Sequence, residues 1–227
     1  MNDLEIRTLD TFKRVRNFDV THDGLFPPDT LARDLFDVIA GAAKDIEGFA
    51  AAETSGGTTA RQGTANKAAA REAILEDLRI IRRTARTMTG DSPGVSDKFR
   101  VPRKANDQEL LNTARAFLAD AEPLKGEFLR RELQERVFQD LAANLAAFEA
   151  ALNAQYAGRG ESVTAAGSMD AAFENGLNAL RQLDPIVRNK LHNNHAALAG
   201  WESAKRIERG PRRTKPDTTE PPPDSKP

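Results

Sequence analysis

Apolar side chains recur along this chain in stripes at intervals of three and four residues rather than in sustained alternation, and that habit rules out most folds. Leu9, Phe12 and Val15 make one such stripe. Leu31, Leu35, Val38, Ala42, Ile46 and Phe49 make a second, and Ala70, Ile74, Leu78, Ile81, Ala85 and Met88 a third. A period near 3.6 puts each set on one face of a helix, whereas a half-buried strand needs alternation. β-Branched and aromatic residues are scattered singly, and Ala, Leu, Arg and Glu, all good helix formers, dominate. The chain is expected to be all-α, a bundle of six or seven helices.

The breaks between stripes set the expected elements. A first helix covers about 8–21, and "LFPPDT" stops it, because two prolines impose extended geometry; Asp29 or Thr30 is placed to cap the next helix. That helix runs to about Glu53. "TSGGTTARQGT" reads as a turn, and a third helix follows, so the pair makes a long antiparallel hairpin. "TGDSPGVSDKFRVPRKAND" reads as a linker. A helix from Asp107 to Ala121 follows, then an interruption at Pro123 and a long helix from about Glu132 to Ala157. "AGRGES" reads as a second hairpin turn before a helix from Ser162 through Leu183, which Pro185 should kink or restart. "HNNH" marks another break, with Asn194 capping a last helix through Trp201 to about Ile207. Beyond Gly210 the proline-rich polar sequence is expected to be disordered.

These elements repeat. "LEDLRIIRRTAR" at 75–86 reappears as "LNALRQLDPIVR" at 177–188, and sliding the chain by 102 residues extends the match. Residues 31–90 over 133–192 share thirteen identities in sixty without a gap, among them Phe36/Phe138, Glu47/Glu149, Gly56/Gly158, Leu78/Leu180 and Arg86/Arg188. A constant offset across two helices and their connection points to internal duplication. The expected organisation is a first unit at 1–92, a linker at 93–106, a second unit at 107–209 and a tail at 210–227. Each unit would be a short helix plus a long hairpin, and the two hairpins would form a four-helix core about a pseudo-two-fold axis. Phe99 and Trp201 fall at matching positions, where each should plug the end of its own hairpin.

Composition narrows the classes of function. The chain carries 33 basic against 34 acidic side chains in 227 residues, so no overall field steers it to a polyanion or an acidic membrane. The absence of cysteine excludes disulfides and thiolate chemistry and fits a reducing, cytoplasmic compartment. "MNDLEIRTLD" carries acids and has no apolar core, unlike a signal peptide, and no stretch is apolar enough for a membrane span.

No residue set meets the requirements of a catalytic, cofactor or metal site. A carboxylate-bridged di-metal bundle needs inward Glu and Glu-x-x-His motifs, and the chain has no Glu-x-x-His. The repeat-matched Glu72 lies about 160° around the helix from Ile74, and Glu47 about 100° from Ile46, so both face water or a flank. His192 and His195 lack further ligands, and His22 beside Asp23 sits in a turn context with no nucleophile to serve. The glycines at 56, 57 and 63 do not follow a strand or end in a phosphate-loop lysine. Arg79, Arg82, Arg83 and Arg86 read chiefly as flanks of an apolar stripe, with an anion-binding groove as the alternative. The expectation is a non-enzymatic helical-bundle scaffold or protein-interaction protein; a ligand-binding bundle without catalysis is a further option, because alanine-rich helices leave room between them. The alternative is polyanion association, most simply with nucleic acid, through "KRIERGPRRTK", whose Lys205, Arg206, Arg209, Arg212, Arg213 and Lys215 against Glu208 give a local charge of +5.

Overall fold

The structure is a computed structural model and describes residues 1–90 and 94–208. Among these residues every regular element is helical. The order is α1 (Asp3–Thr21), α2 (Leu31–Thr87), α3 (Val95–Lys98), α4 (Asp107–Ala121), a 3-10 turn at Glu122–Leu124, α5 (Lys125–Arg130), α6 (Arg136–Lys190) and α7 (His195–Ala204). No helix is long and apolar enough to cross a membrane.

Several boundaries follow from local chemistry. α1 begins at Asp3 instead of near residue 8, because the Asn2 side chain accepts from the backbone N–H groups of Leu4 and Glu5 while Glu5 reaches back to the Asn2 N–H. Thr30 caps α2, its hydroxyl accepting from the Arg33 N–H at 3.3 Å, and Asp29 takes a left-handed conformation at φ 65°. Asn194 caps α7 by accepting from the Ala197 N–H at 3.1 Å. Pro123 falls in the 3-10 turn that ends α4, as its ring and missing donor require.

The main correction concerns the two expected hairpin turns. Residues 54–64 and 157–162 are interior to α2 and α6, which run unbroken for 57 and 55 residues. Neither stretch contains proline, so nothing forbids helix; glycine only disfavours it by about 1 kcal/mol per residue. The missing side chains let backbones approach: a Cβ on Gly63 would stand 2.7 Å from the Gln155 nitrogen, and one on Gly56 2.8 Å from the Gly158 oxygen. Several polar side chains there find partners in and between the helices. Thr58 and Thr64 hydroxyls donate back to the Thr54 and Ala60 carbonyls, and the buried Gln155 amide donates to Thr64 Oγ1 at 2.7 Å. Close packing outweighs turn propensity. α6 likewise continues through Pro185, which lies on an exposed face, while Leu183 and Val187 on either side are buried.

Because the long helices do not fold back, the division of the chain differs from the expected 1–92 and 107–209. The first compact unit joins residues 1–50 with residues from 168 onward, and the second is residues 51–167. The expected tail at 210–227 lies outside the described residues.

The core of the first unit gathers Phe12, Val15, Phe36, Ile39 and Ile46 with Leu183, Val187 and Trp201. Gly176 makes room for the Phe12 ring, since a Cβ there would sit 2.6 Å from its Cζ. The core of the second unit gathers Ile74, Leu78, Ile81, Phe99, Phe117, Phe128, Leu141 and Phe148. Of the apolar stripes, Leu35, Ala42, Ile46 and the whole set from Ala70 to Met88 are buried, whereas Leu31 is 59% exposed.

Candidate functional site

Trp201 is fully buried in the first unit, with ring centroids 5.3 Å from Phe18 and 6.1 Å from Phe36. It therefore packs on α1 and the leading half of α2, and there is no hairpin end for it to plug. Its indole N–H donates to Asp184 Oδ1 at 2.9 Å, and the same oxygen accepts from Lys205 Nζ at 2.6 Å and Arg188 Nε at 3.1 Å. Glu202 closes the cluster on Lys205 and Arg188. Burial pushes the Asp184 carboxyl up, but the bonds from Lys205, Trp201 and Arg188 outweigh it and hold the group below its ordinary value. Phe99 is the counterpart in the second unit, edge-on to Phe117 and Phe128 at 5.2 and 5.5 Å.

This cluster bears directly on the basic segment singled out as an anion contact. Lys205 is held by Asp184 and Glu202. The backbone at Arg206 is tied down as well, its carbonyl accepting from the Arg14 guanidinium at 2.6 Å, while its side chain is exposed. Arg209, Arg212, Arg213 and Lys215 lie outside the described residues.

The other residues weighed for chemistry are not brought together. Among the described residues no three His, Asp or Glu side chains are grouped to hold a metal. Glu47 pairs with Lys13 at 2.7 Å and Glu149 with Arg115, and Glu72 and Glu174 are exposed. His22 Nδ1 lies 2.9 Å from the Phe18 carbonyl and its ring stacks on Phe18, which makes it a helix-end residue. His192 sits 2.9 Å from the Asn189 carbonyl, and His195 is the first residue of α7. Arg79 pairs with Glu76, while Arg82, Arg83 and Arg86 have no acid within ion-pair distance among the described residues.

Two grooves stand out. One, of about 390 Å³ in the first unit, runs between α1 and α7 over Phe18 and Gly200, with Lys13, Arg14 and His22 on its rim. The other, of about 680 Å³ in the second unit, lies between α2 and α6 and is lined by Ala69, Ala70, Ala73, Ala147, Ala150, Ala151 and Ala154, with Asn66 and Asn144. No titratable side chain lines the alanine groove, but Asn144 donates from its wall to Asp77 Oδ2 at 2.8 Å. Burial raises the Asp77 carboxyl above its ordinary value; Asn144 opposes the shift, and Asp140 and Glu76 add to it. The alanine-rich composition allows room between helices, but it does not place this groove, because an alanine face left open has the same sequence pattern as one that fills a core.

No protein-family model, no curated protein and no solved structure matches this chain.

Proposed function

We propose that this chain is a non-enzymatic helical scaffold that binds a protein partner in a reducing, cytoplasmic compartment. The observation that carries the reading is the alanine groove between α2 and α6. Small side chains bring the floor close to the helix axes, so the ridge of a partner helix can enter it, and apolar lining without a nucleophile or base suits docking rather than turnover. The test is capture of partners from the native host, read by mass spectrometry, with the wild-type chain and with Ala69→Arg/Ala147→Arg, both exposed in the groove wall. A partner held by the first and lost by the second supports the reading. Partners retained equally by both remove the groove from it.

Duplication of one ancestral unit accounts for the architecture. Shifting α2 by 102 residues gives 133–189 against the observed 136–190 of α6, and α1 corresponds to α4 in the same way. Each compact unit then combines the short helix and leading half-helix of one repeat with the trailing half-helix of the other. Residues 1–106 alone should consequently fold only by pairing with a second copy, and a folded monomer of that fragment would count against the exchange.

The second reading is sequence-blind association of the basic C-terminal segment with nucleic acid. Its support is the local charge of +5 over residues 205–215 in a chain whose net charge is −1. With Lys205 engaged by Asp184, the reading rests on Arg206 and the residues from 209 onward. Retention on DNA or RNA at low salt should fall when the chain is ended at Arg209, and equal retention removes the idea.

A further inference from the structure

The second unit carries a basic surface that uses neither the alanine groove nor residues 205–215. Residues 78–90 contain four arginines and no acid, and residues 98–106 contain Lys98, Arg100, Arg103 and Lys104 and no acid. The fold lays these two stretches side by side. Phe99, at the start of the segment, is buried in the same apolar cluster as Ala85 and Met88 near the end of α2. Ala105, at its other end, accepts a hydrogen bond from Arg71, which also pairs with Asp107 at 3.0 Å. Between these anchors the segment runs back along α2, with Val101 packed on the core and Arg100, Arg103 and Lys104 exposed.

Arg82 and Arg86 fall near the flank of α2 that carries Arg71, the residue that holds the far end of the segment. At 100° per residue they fall about 20° and 60° around the helix from Arg71. Arg79 is paired with Glu76 and Lys98 with Asp120, but Arg82, Arg86, Arg100, Arg103 and Lys104 have no acid within ion-pair distance among the described residues. Most other cations of the second unit, including Lys67, Arg71, Arg115, Lys125, Arg130 and Arg136, do.

We propose that this ridge docks the phosphate backbone of a nucleic-acid duplex. Four of its five side chains are arginine, whose planar fork matches phosphate oxygens, and an unpaired cationic ridge releases condensed counterions when it binds. No large exposed apolar side chain lies among the described residues between 78 and 106, which argues against a membrane surface, where such a side chain would anchor. The only aromatic in that range, Phe99, is buried, so unpaired bases have nothing to stack on; backbone contact to a duplex remains.

The deciding measurement is fluorescence anisotropy of a labelled duplex of about 30 base pairs with the full chain, as a function of salt. Five phosphate contacts predict a slope of log affinity against log salt of about −4.5. Arg100→Glu/Arg103→Glu/Lys104→Glu should lose at least tenfold in affinity and flatten the slope by about 3, with unchanged helical circular dichroism. Lys44→Glu/Arg181→Glu/Lys190→Glu, an equal charge change in the first unit, should stay within threefold, and a chain ended at Arg209 should keep the ridge-dependent binding. An absence of binding by the wild-type chain overturns the proposal. So does an equal loss in both triple variants, or binding to phosphatidylserine vesicles without binding to the duplex. Should the ridge variant unfold, acetylation of Lys104 in the wild-type chain replaces it: protection by the duplex supports the ridge, and unchanged labelling overturns it.

Discussion

Gly56 and Gly158 meet backbone to backbone: a Cβ on Gly158 would lie 2.6 Å from the Gly56 carbonyl oxygen, and one on Gly56 would lie 2.8 Å from the Gly158 carbonyl oxygen. The atoms in the way are main-chain atoms of helices, which cannot swing aside as a side-chain tip can. Gly158→Ala should therefore cost about 1–3 kcal/mol, as overpacking does, and Gly63→Ala against the Gln155 nitrogen should behave alike. Thermal unfolding of the purified variants checks both.

The neighbouring glycines predict the opposite sign. Nothing lies within 4 Å of a Cβ placed on Gly57 or Gly160, and both are interior to helices. Alanine at either position should stabilise by about 0.5–1 kcal/mol, because it removes backbone freedom from the unfolded chain without touching a neighbour. A fall in melting temperature for Gly57→Ala together with Gly158→Ala would mean that the helices are strained along their whole middle.

Trp201→Ala should cost about 3–5 kcal/mol, the usual range for a fully buried large aromatic. Phe99→Ala in the second unit should cost a comparable amount. Urea denaturation followed by circular dichroism reads both, and an unchanged midpoint would place the side chain on the surface.

Asp184 separates packing from hydrogen bonding at the same place. Asp184→Asn keeps an acceptor for the buried Trp201 N–H, whereas Asp184→Leu leaves that donor unsatisfied at about 1–3 kcal/mol. The pH dependence follows in sign. The folded-state pKa is depressed, so the carboxylate's contribution is complete above the unfolded value near 4 and is lost as pH falls through the lower folded value. The stability difference between wild type and Asp184→Asn should narrow in that acid range.

Asp77 should show the reverse. Its folded-state pKa is raised, so protonation favours the folded chain, and stability declines as pH rises from below the unfolded value through the raised folded one. Asp77→Asn can keep an acceptor for Asn144 and removes a charge crowded by Asp140 and Glu76. Its melting temperature should exceed that of wild type at pH 7, and the advantage should vanish near pH 3.

The legible parts of this fold were those written in side-chain periodicity and hard stereochemistry. Helical class, the buried face from Ala70 to Met88, the stop at Pro123 and the Asn194 cap all depend on local rules that hold in any surroundings. The continuity of α2 and α6 was not legible, because residues 54–64 look like a turn by propensity and become helix only through the approach of another backbone. Glycine carries both messages with one letter. The basic ridge was legible only in part: Arg82 and Arg86 stood in the sequence as part of an alternative anion-binding groove, whereas Arg100, 18 positions beyond Arg82, enters the proposal only through the anchoring of 99–106 at Phe99 and Ala105.

The discontinuous make-up of the first unit also fixes an order of events during synthesis. Residues 51–167 are contiguous and can close their core as they emerge, but Phe12, Phe36 and Ile39 wait for Leu183, Val187 and Trp201, which are made more than a hundred residues later. At a ribosomal pace of about 5–20 residues per second the leading segment spends many seconds with its apolar face uncovered. The N-terminal helices of the nascent chain are thus the part that most needs a holding chaperone, and the last part to become resistant to protease.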